Sequence, residues 1–322
     1  MRPDRRQFLI GAAALALPGG ARMPVTPPEP KGTRLILLGT KGGPALTSHG
    51  RANPGTLLLI DGTPHVVDCG YGTSRQLVSA GVPLNTVRSL FITHHHSDHN
   101  LEVGAIAYNG WAAGSSGRVD VYGPPGLERM VQAFFEYMKF DIETRIEDEG
   151  RPDLRKLVIV HEFDKPGMVL QTGSVKVTAA LVRHPPIRQA YAYRFDSKDR
   201  SVVLSGDTTY APELAELARG ADVLVHEVLY RPGIDALLRR VGDATRLREH
   251  LLASHTLSED AGRIAARAGV STLVLSHFVP GDDPSITDEQ WAEGARAHFQ
   301  GRIIVGRDLM EVPAEAPARA SA

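Results

Sequence analysis

The sequence is poor in several features that would assign it to a class at once, and each shortage excludes something. It has one cysteine, Cys69, in 322 residues, so an intrachain disulfide is excluded. Cys69 follows an apolar run, which indicates a buried structural thiol rather than a nucleophile. The net charge is −1, so no global excess of positive charge argues for nucleic-acid binding. Beyond the N-terminus, no segment reaches the roughly 18 uninterrupted apolar residues of a membrane-spanning helix.

Residues 1–21 are typical of an export signal. The pair Arg5-Arg6 precedes the apolar run 10–17, and small residues at 19–21 offer a cleavage site. This pattern resembles a twin-arginine signal peptide and predicts a periplasmic or secreted protein. The apolar run is too short to span a bilayer well, so we expect no stable membrane insertion after cleavage; an uncleaved anchor is the alternative. Residues 22–32 are predicted to be a linker and residues 313–322 a disordered tail.

The most informative stretch is residues 93–99, where four histidines and an aspartate occur within seven positions. It follows the apolar run 89–92, which predicts a strand. Alternation along a strand would place His94 and His96 on one face and His95 on the other. Imidazole nitrogen and carboxylate oxygen are ordinary ligands of Zn²⁺ and Mn²⁺, and a buried cluster without a ligand would be costly. The spacing therefore predicts a metal site that can serve two adjacent ions.

Three further polar residues follow apolar strands. His184 comes after the run 175–182, Asp207 after 202–206, and His277 after 273–276. Functional groups collect at such positions because a rigid scaffold holds them. A single histidine or aspartate at a strand end is more often a capping group, so the metal-binding interpretation depends on the complete set.

The spacing H-x-H-x-D-H resembles the signature of the metallo-β-lactamase superfamily, and the local likeness is strongest to its ribonuclease Z branch. The segments that carry it are 67–70, 72–73 and 75–77 before the histidine motif and, after it, 122–126, 221–227, His255-Thr256 and 275–278. The resemblance covers residues 33–312. It implies one hydrolase domain with a four-layer αββα sandwich fold, and the two clusters of predicted strands with interspersed helices suit that fold.

The resemblance also implies a metal ligand set. One ion would be held by His94, His96 and His184, the other by Asp98, His99 and His277, with Asp207 bridging both. The expected ions are Zn²⁺, with Mn²⁺ or Fe²⁺ as alternatives. Two cations about 3.5–4 Å apart can share a water and deprotonate it near neutral pH, and the hydroxide would attack a phosphorus or a carbonyl. Asp68 is expected to support the histidine loop without binding metal.

Three residues are predicted to be catalytic: Asp98, His255 and Glu227. The resemblance places a histidine like His255 near the leaving group, with a glutamate like Glu227 orienting its imidazole. A histidine–carboxylate pair can deliver a proton near pH 7, so it would serve as a general acid. The alternative for Glu227 is a strand-end salt bridge. His95 is expected to pack or to support the site, and His226 is expected to pack or to form a hydrogen bond in the core.

The sequence thus favours an exported dinuclear hydrolase of a phosphodiester or related ester. Only 22 residues separate His184 from Asp207, too few for the long arm with which ribonuclease Z enzymes commonly grip tRNA. A small-molecule substrate is therefore favoured over nucleic acid. The alternative is a lactonase or carboxylic ester hydrolase, because Tyr210 follows Asp207 as a tyrosine does in lactonases of this superfamily. A β-lactamase or a non-catalytic metal-binding protein is less favoured, and a homodimer is compatible with the sequence.

Local patterns make further predictions that the structure can test. Helices are expected at 100–111 and 127–139, and helical pattern recurs between 234 and 252. Thr256 and Glu259 have the spacing of a capping box for a helix at 258–268. Residues 142–153 are charged and weakly patterned, so we expect a mobile flap or a solvated loop there.

Overall fold

The computed structural model describes residues 32–46, 50–242 and 244–314. The predicted signal peptide, the linker up to residue 31 and the tail from residue 315 lie outside the described residues. Within these ranges, no helix is long and apolar enough to cross a membrane.

Fourteen strands in the described part of the chain form two sheets of seven. The first sheet has the spatial order β14 (Met310–Val312), β1 (Thr33–Gly39), β2 (Gly55–Ile60), β3 (Thr63–Cys69), β4 (Ser89–Phe91), β5 (Val119–Gly123) and β6 (Val158–Glu162). The second has the order β13 (Arg302–Val305), β12 (Thr272–Val279), β11 (Val223–Leu229), β10 (Ser201–Leu204), β9 (Ile187–Ser197), β8 (Val175–His184) and β7 (Gly167–Gln171). Strands β3 to β6 and β10 to β13 run parallel within their sheets, and the other neighbours are antiparallel.

Helices cover the outer face of each sheet. The first sheet is covered by α1 (Thr73–Ser79), α3 (Val103–Ala112), α4 (Leu127–Tyr137) and α5 (Lys139–Glu149), with the short α2 (Ser97–Asn100) at its edge. The second is covered by α6 (Pro212–Leu217), α9 (Ser258–Ala268) and α10 (Asp288–Arg296). Two more helices, α7 (Ile234–Val241) and α8 (Leu247–Ser254), form a small apolar cluster with the ends of β11 and β12. Short 3₁₀ turns occur at Leu84–Thr86, Leu154–Lys156 and Arg231–Gly233.

Strand β1 shows how the sequence produces these layers. Leu35 and Leu37 are buried between the two sheets, whereas Ile36 and Leu38 are buried against the helices of the first sheet. Since successive side chains of a strand point to opposite faces, a continuous apolar run indicates a strand that is covered on both sides. The predicted four-layer αββα sandwich is confirmed.

The prediction of a flap at 142–153 is wrong. Most of this segment belongs to α5, which is anchored by the fully buried Ile142. Arg145 forms ion pairs with Asp141 and Glu149, each four residues away along the helix. Such pairs stabilise an exposed helical face, so a charged segment with one deeply buried residue is sufficient to form a helix here.

The predicted helix boundaries also need correction. The helix expected at 100–111 is interrupted after Asn100, where the Glu102 carboxylate accepts the backbone N–H groups of Gly72 and Ser74 at 2.7 Å. The helical region 234–252 is two helices, separated at Gly242, whose φ of 71° suits glycine.

The predicted capping box at Thr256 is absent. Leu257 is the N-cap residue of α9 and makes no side-chain capping bond. The Thr256 hydroxyl instead donates to the carbonyl oxygen of Thr208, a contact that holds the loop after β10. A capping box does form at α10, where Thr287 and Gln290 bond to each other's backbone.

Candidate metal centre

The site lies where strands of both sheets end. The histidine motif follows β4 and runs into α2, Asp68 is the penultimate residue of β3, His184 ends β8, and Asp207 follows β10. His277 belongs to β12, next to a shift in register with β11, and has a φ of 44°. Ligands of α/β proteins commonly bind at the carboxyl ends of parallel strands, and here those ends face one another across the sandwich.

The first group of donor atoms comes from His94, His96, His184 and Asp207, and these atoms lie within 4.8 Å of one another. Nδ1 of His96 is 3.0 Å from Nε2 of His94 and 3.1 Å from Nε2 of His184. Oδ2 of Asp207 is 3.8 and 3.9 Å from the same two Nε2 atoms. Ligands about 2.0–2.1 Å from a tetrahedral Zn²⁺ lie roughly 3.3 Å apart, so these separations fit one ion.

The second group consists of Asp98, His99 and His277. Nε2 of His99 is 3.2 Å from Nε2 of His277, and Oδ2 of Asp98 is 3.6 and 3.5 Å from these atoms. Oδ1 of Asp207 lies 3.3 Å from Nε2 of His99 and 3.1 Å from Nε2 of His277. These separations also fit one ion, with Asp207 as the fourth protein ligand.

Asp207 therefore faces both groups, one carboxylate oxygen toward each. Its Oδ1 is buried and has no hydrogen-bond partner among the described residues. Burial opposes ionisation, but the imidazoles of His277 and His99 outweigh it and hold the pKa of Asp207 well below its usual range. An ionised carboxylate between two sets of ring nitrogens is a donor set suited to two neighbouring cations.

Hydrogen bonds to the ring nitrogens that do not belong to the donor groups orient the imidazoles of the ligands. Asp68 Oδ2 lies 2.8 Å from Nδ1 of His99, and Asp68 Oδ1 accepts the backbone N–H of Thr93 at 2.8 Å. Nδ1 of His184 lies 2.9 Å from the carbonyl oxygen of Ser254. Such partners fix the tautomer and direction of a metal-binding imidazole, so they support the assigned ligand atoms.

His255 and Glu227 form a buried pair next to the metal centre. Nδ1 of His255 lies 3.0 Å and 3.1 Å from the two carboxylate oxygens of Glu227. Glu227 also accepts the backbone N–H of Thr208 at 2.7 Å, which fixes its carboxylate. Burial disfavours a charged imidazole, but Glu227 outweighs burial and raises the pKa of His255 to about 9. His255 also lies close to Asp207 and His277, but its Nδ1 is engaged with Glu227.

A cleft of about 540 Å³ opens above the metal centre. Its floor includes His96, Asp98, Asp207 and His255. Two other residues that line it, Lys41 and His250, were not identified by the sequence analysis. Lys41 follows β1 in a glycine-rich turn, and His250 is an isolated histidine in α8, so neither has a spacing that could have identified it.

Other residues considered in the sequence lie apart from the metal ligands. His95 turns away from the metal centre, with Nε2 3.2 Å from the carbonyl oxygen of Pro125. His226 and Cys69 are fully buried. Tyr210 packs against the apolar cluster of the second sheet and is not among the residues that line the cleft.

Comparisons with known proteins show the family to which the chain belongs. Residues 63–278, more than half of the chain, match the family described as Beta-lactamase superfamily domain. The ribonuclease Z of Mycobacterium bovis (strain BCG / Pasteur 1173P2) is 33% identical over 282 residues, which cover 86% of this chain and 97% of that protein. Two solved structures share the fold. The metallo-β-lactamase fold protein YhfI from Bacillus subtilis has a TM-score of 0.64 at 21% identity, covering 87% of this chain and 98% of its own. The short form of human tRNase Z has a TM-score of 0.63 at 19% identity, and the match covers 88% of this chain and 100% of that structure's chain. The chain therefore belongs to the β-lactamase superfamily and, within it, to the ribonuclease Z-like metal-dependent hydrolases.

Proposed function

We propose that the protein is an exported phosphodiesterase that uses two divalent metal ions. The observation that carries this proposal is the position of Asp207, with one carboxylate oxygen toward each group of imidazole ligands. The nitrogen-rich donor set favours Zn²⁺. When bound, two such ions supply an activated water and neutralise charge that develops on the substrate.

The residues divide into ligands and groups that handle protons. His94, His96 and His184 would hold one ion, Asp98, His99 and His277 would hold the other, and Asp207 would contribute a carboxylate oxygen to each group. Asp98 also lines the cleft floor, so its carboxylate can accept a proton from the attacking water. His255, held by Glu227, donates a proton to the oxygen that leaves.

Lys41 favours an anionic substrate over a neutral lactone or carboxylic ester. Its ammonium group is buried in the cleft wall and donates to the carbonyl oxygens of Gly42 and Gly43 at 3.1 and 2.9 Å. In the described part of the chain, no carboxylate forms an ion pair with it. Asp282 and Asp98 act on the ammonium group electrostatically without pairing with it, and a phosphodiester would provide a direct anionic partner. Tyr210, the residue that suggested a lactonase, lies outside the cleft lining.

RNA is the second candidate substrate, and the relatives favour it. The protein from Mycobacterium bovis carries the name ribonuclease Z and matches this chain over 97% of its length. The sequence did not favour nucleic acid, because the segment between His184 and Asp207 is short; β9 and β10 fill it. A precursor-tRNA cleavage assay separates the two substrates.

The test of the activity is hydrolysis by the metal-loaded protein. We expect cleavage of bis(p-nitrophenyl) phosphate to exceed that of a γ-lactone and of p-nitrophenyl butyrate in kcat/KM. Chelation of the metals should abolish the activity, and added Zn²⁺ or Mn²⁺ should restore it. A faster reaction with the lactone, or full activity after exhaustive chelation, would overturn the proposal.

Export is the part of the proposal that rests on the sequence. The pair Arg5-Arg6 lies outside the described residues, and its position before an apolar run supports the twin-arginine route. Replacing both arginines with lysine should leave the precursor in the cytoplasm after cell fractionation. An unchanged periplasmic yield of that variant would show that export does not use this route.

A further inference from the structure

One wall of the cleft above the metal centre is apolar, and the proposed chemistry does not require it. Its side chains come from α7, α8 and the end of β12 with the residue that follows it: Leu237, Val241, Leu247, Leu251, Val279 and Pro280. The same cleft includes His96, Asp98, Asp207 and His255 on its floor, so the wall is continuous with the metal centre.

Several of these side chains keep surface available for a ligand. Val241 is 44% exposed, and Leu237 and Leu247 are half-buried. Leu251 is buried and anchors the wall through a small cluster with Ile234. Ligand-binding clefts are typically lined by apolar side chains of this kind with a few polar groups at one end.

The wall lies next to His255, which the proposed function assigns as the proton donor to the leaving group. Helix α8 ends at Ser254, whose carbonyl oxygen faces His184, and His255 is the next residue. Because His255 is the proton donor in the proposed function, the group attached to the leaving oxygen extends toward α7 and α8. Helix α8 therefore both contributes to the wall and leads directly into the proposed general acid.

We infer that this wall binds an apolar leaving group, so that the substrate class is a phosphodiester of a hydrophobic alcohol, aryl or alkyl. This inference rests on the proposed function. Water adds to phosphorus, the bond from phosphorus to the leaving oxygen breaks, and that oxygen takes a proton from His255; the products are a phosphate monoester and an apolar alcohol. At the same place RNA would present ribose and further phosphates, and Arg240, a cation on this wall, is already paired with Asp282 at 2.7 Å.

The test uses n-alkyl phosphates from ethyl to octyl with the metal-loaded full-length protein. Calorimetry measures the dissociation constants. Inhibition of the hydrolysis of bis(p-nitrophenyl) phosphate gives the inhibition constants. We expect affinity to rise roughly three- to fourfold per added methylene until the cleft is filled. An affinity that does not depend on chain length, or tighter binding of adenosine monophosphate than of octyl phosphate, would overturn the inference.

Substitutions in the wall test whether its side chains cause the dependence of affinity on alkyl chain length. Leu247→Gln and Val241→Gln should both reduce the dependence on chain length, because each places an amide in the wall. Leu252→Gln is the matched control: Leu252 lies on α8, is 39% exposed and does not line the cleft. Metal content and thermal midpoint verify that each variant is folded. If affinity depends on chain length in all three variants as it does in the wild type, the alkyl group binds elsewhere.

The two proposals can fail separately. Chain-length-dependent binding without hydrolysis of any phosphodiester would contradict the proposed function and support the apolar wall. Hydrolysis without chain-length dependence would contradict the wall and support the proposed function.

Discussion

Asp68 and His99 are joined by a hydrogen bond of 2.8 Å between Oδ2 and Nδ1, and the second oxygen of Asp68 accepts the backbone N–H of Thr93. Asp68 has a φ of 56°, in the left-handed region that non-glycine residues adopt only at a cost. The surrounding bonds hold it there because both oxygens are used. An amide has one oxygen, so Asp68→Asn cannot accept from both partners.

We predict that Asp68→Asn weakens binding of one metal ion by about 10- to 100-fold, which is typical for loss of a partner behind a ligand. The affected ion is the one held by His99, and the other ion should keep its affinity. Competition with a chromogenic chelator measures both constants. Asp120→Asn is the matched control, since Asp120 pairs with His161 at 2.6 Å outside the set of ligands. Equal weakening of both ions in Asp68→Asn would contradict the prediction.

Asp207→Ala should remove the bridging carboxylate while leaving six ligands in place. We expect about two ions per wild-type chain and at most about one in the variant, together with loss of hydrolysis. Elemental analysis of dialysed protein measures the ratio of metal to chain. Asp148→Ala, an exposed position in α5, should retain the wild-type ratio. Wild-type protein that binds only one ion with high affinity would contradict the assignment.

Much of the fold and of the ligand set could be predicted from the sequence. Apolar runs mark buried strands, and polar residues directly after them mark strand ends. That local signal identified the segments of His184, Asp207 and His277, and the family spacing assigned them to one site. The same pattern failed for β7 and β14, because these short edge strands contain few buried residues: none in β7 and only Val312 in β14.

The cleft could not be predicted, because it depends on how distant segments pack. Lys41 and His250 are separated by more than two hundred positions, and no short motif links a glycine-rich turn to a helix pair. Helices α7 and α8, which are separated at Gly242, both contribute to the wall, whereas the helical pattern of the sequence continues across this position. The orientation of the two helices depends on tertiary packing, which a local sequence pattern does not specify.

Buried His65 predicts that stability falls in mild acid. It lies between Phe91 and Phe195, with Nδ1 2.6 Å from the Ser89 hydroxyl, and burial lowers its pKa to about 4. In the unfolded chain the imidazole takes a proton below its ordinary pKa of about 6.5, whereas the folded state does not until about pH 4. The free energy of unfolding therefore decreases as pH falls through this window, by about 2 kcal/mol between pH 7.5 and 5 for this residue alone.

Urea unfolding at pH 7.5 and pH 5 checks this prediction by comparing wild type with His65→Gln. Other histidines contribute equally to both proteins, so their difference isolates His65. The stability of the variant relative to wild type should improve by about 2 kcal/mol at the lower pH. His298→Gln, at a half-exposed position, should follow the wild-type pH dependence. An identical dependence in His65→Gln would show that His65 does not cause the loss.

Lys41 should distinguish anionic from neutral substrates. We predict that Lys41→Met raises KM for bis(p-nitrophenyl) phosphate by about tenfold, the loss of one hydrogen bond to a charged group. Hydrolysis of p-nitrophenyl butyrate, which is neutral, should change far less. Since Gly43, an acceptor of Lys41, also donates to Asp98 at 2.8 Å, metal content is measured in parallel. Exposed Lys198→Met is the control, and an equal effect on both substrates would contradict the prediction.

The loss of hydrolysis rate on substitution of His255 or Glu227 should increase with the basicity of the leaving group. A general acid contributes about 10²- to 10⁴-fold when the leaving oxygen needs a proton. His255→Ala should therefore be slow on a dialkyl phosphate and much less impaired on a nitrophenyl diester, whose leaving group departs as an anion. Glu227→Gln should show the same pattern to a smaller extent, because an amide still orients the imidazole but no longer favours its charged form.

Metal content separates this role from metal binding. His255→Ala should retain both ions, whereas His277→Ala, which removes a ligand, should lose one. The comparison of leaving groups is made by single-turnover kinetics, so that the chemical step limits both rates. If His255→Ala slows both diesters equally with its metals in place, the imidazole positions the substrate and does not donate a proton. If it loses an ion, His255 is a ligand, and the group that it forms with Asp207 and His277 is the second metal site.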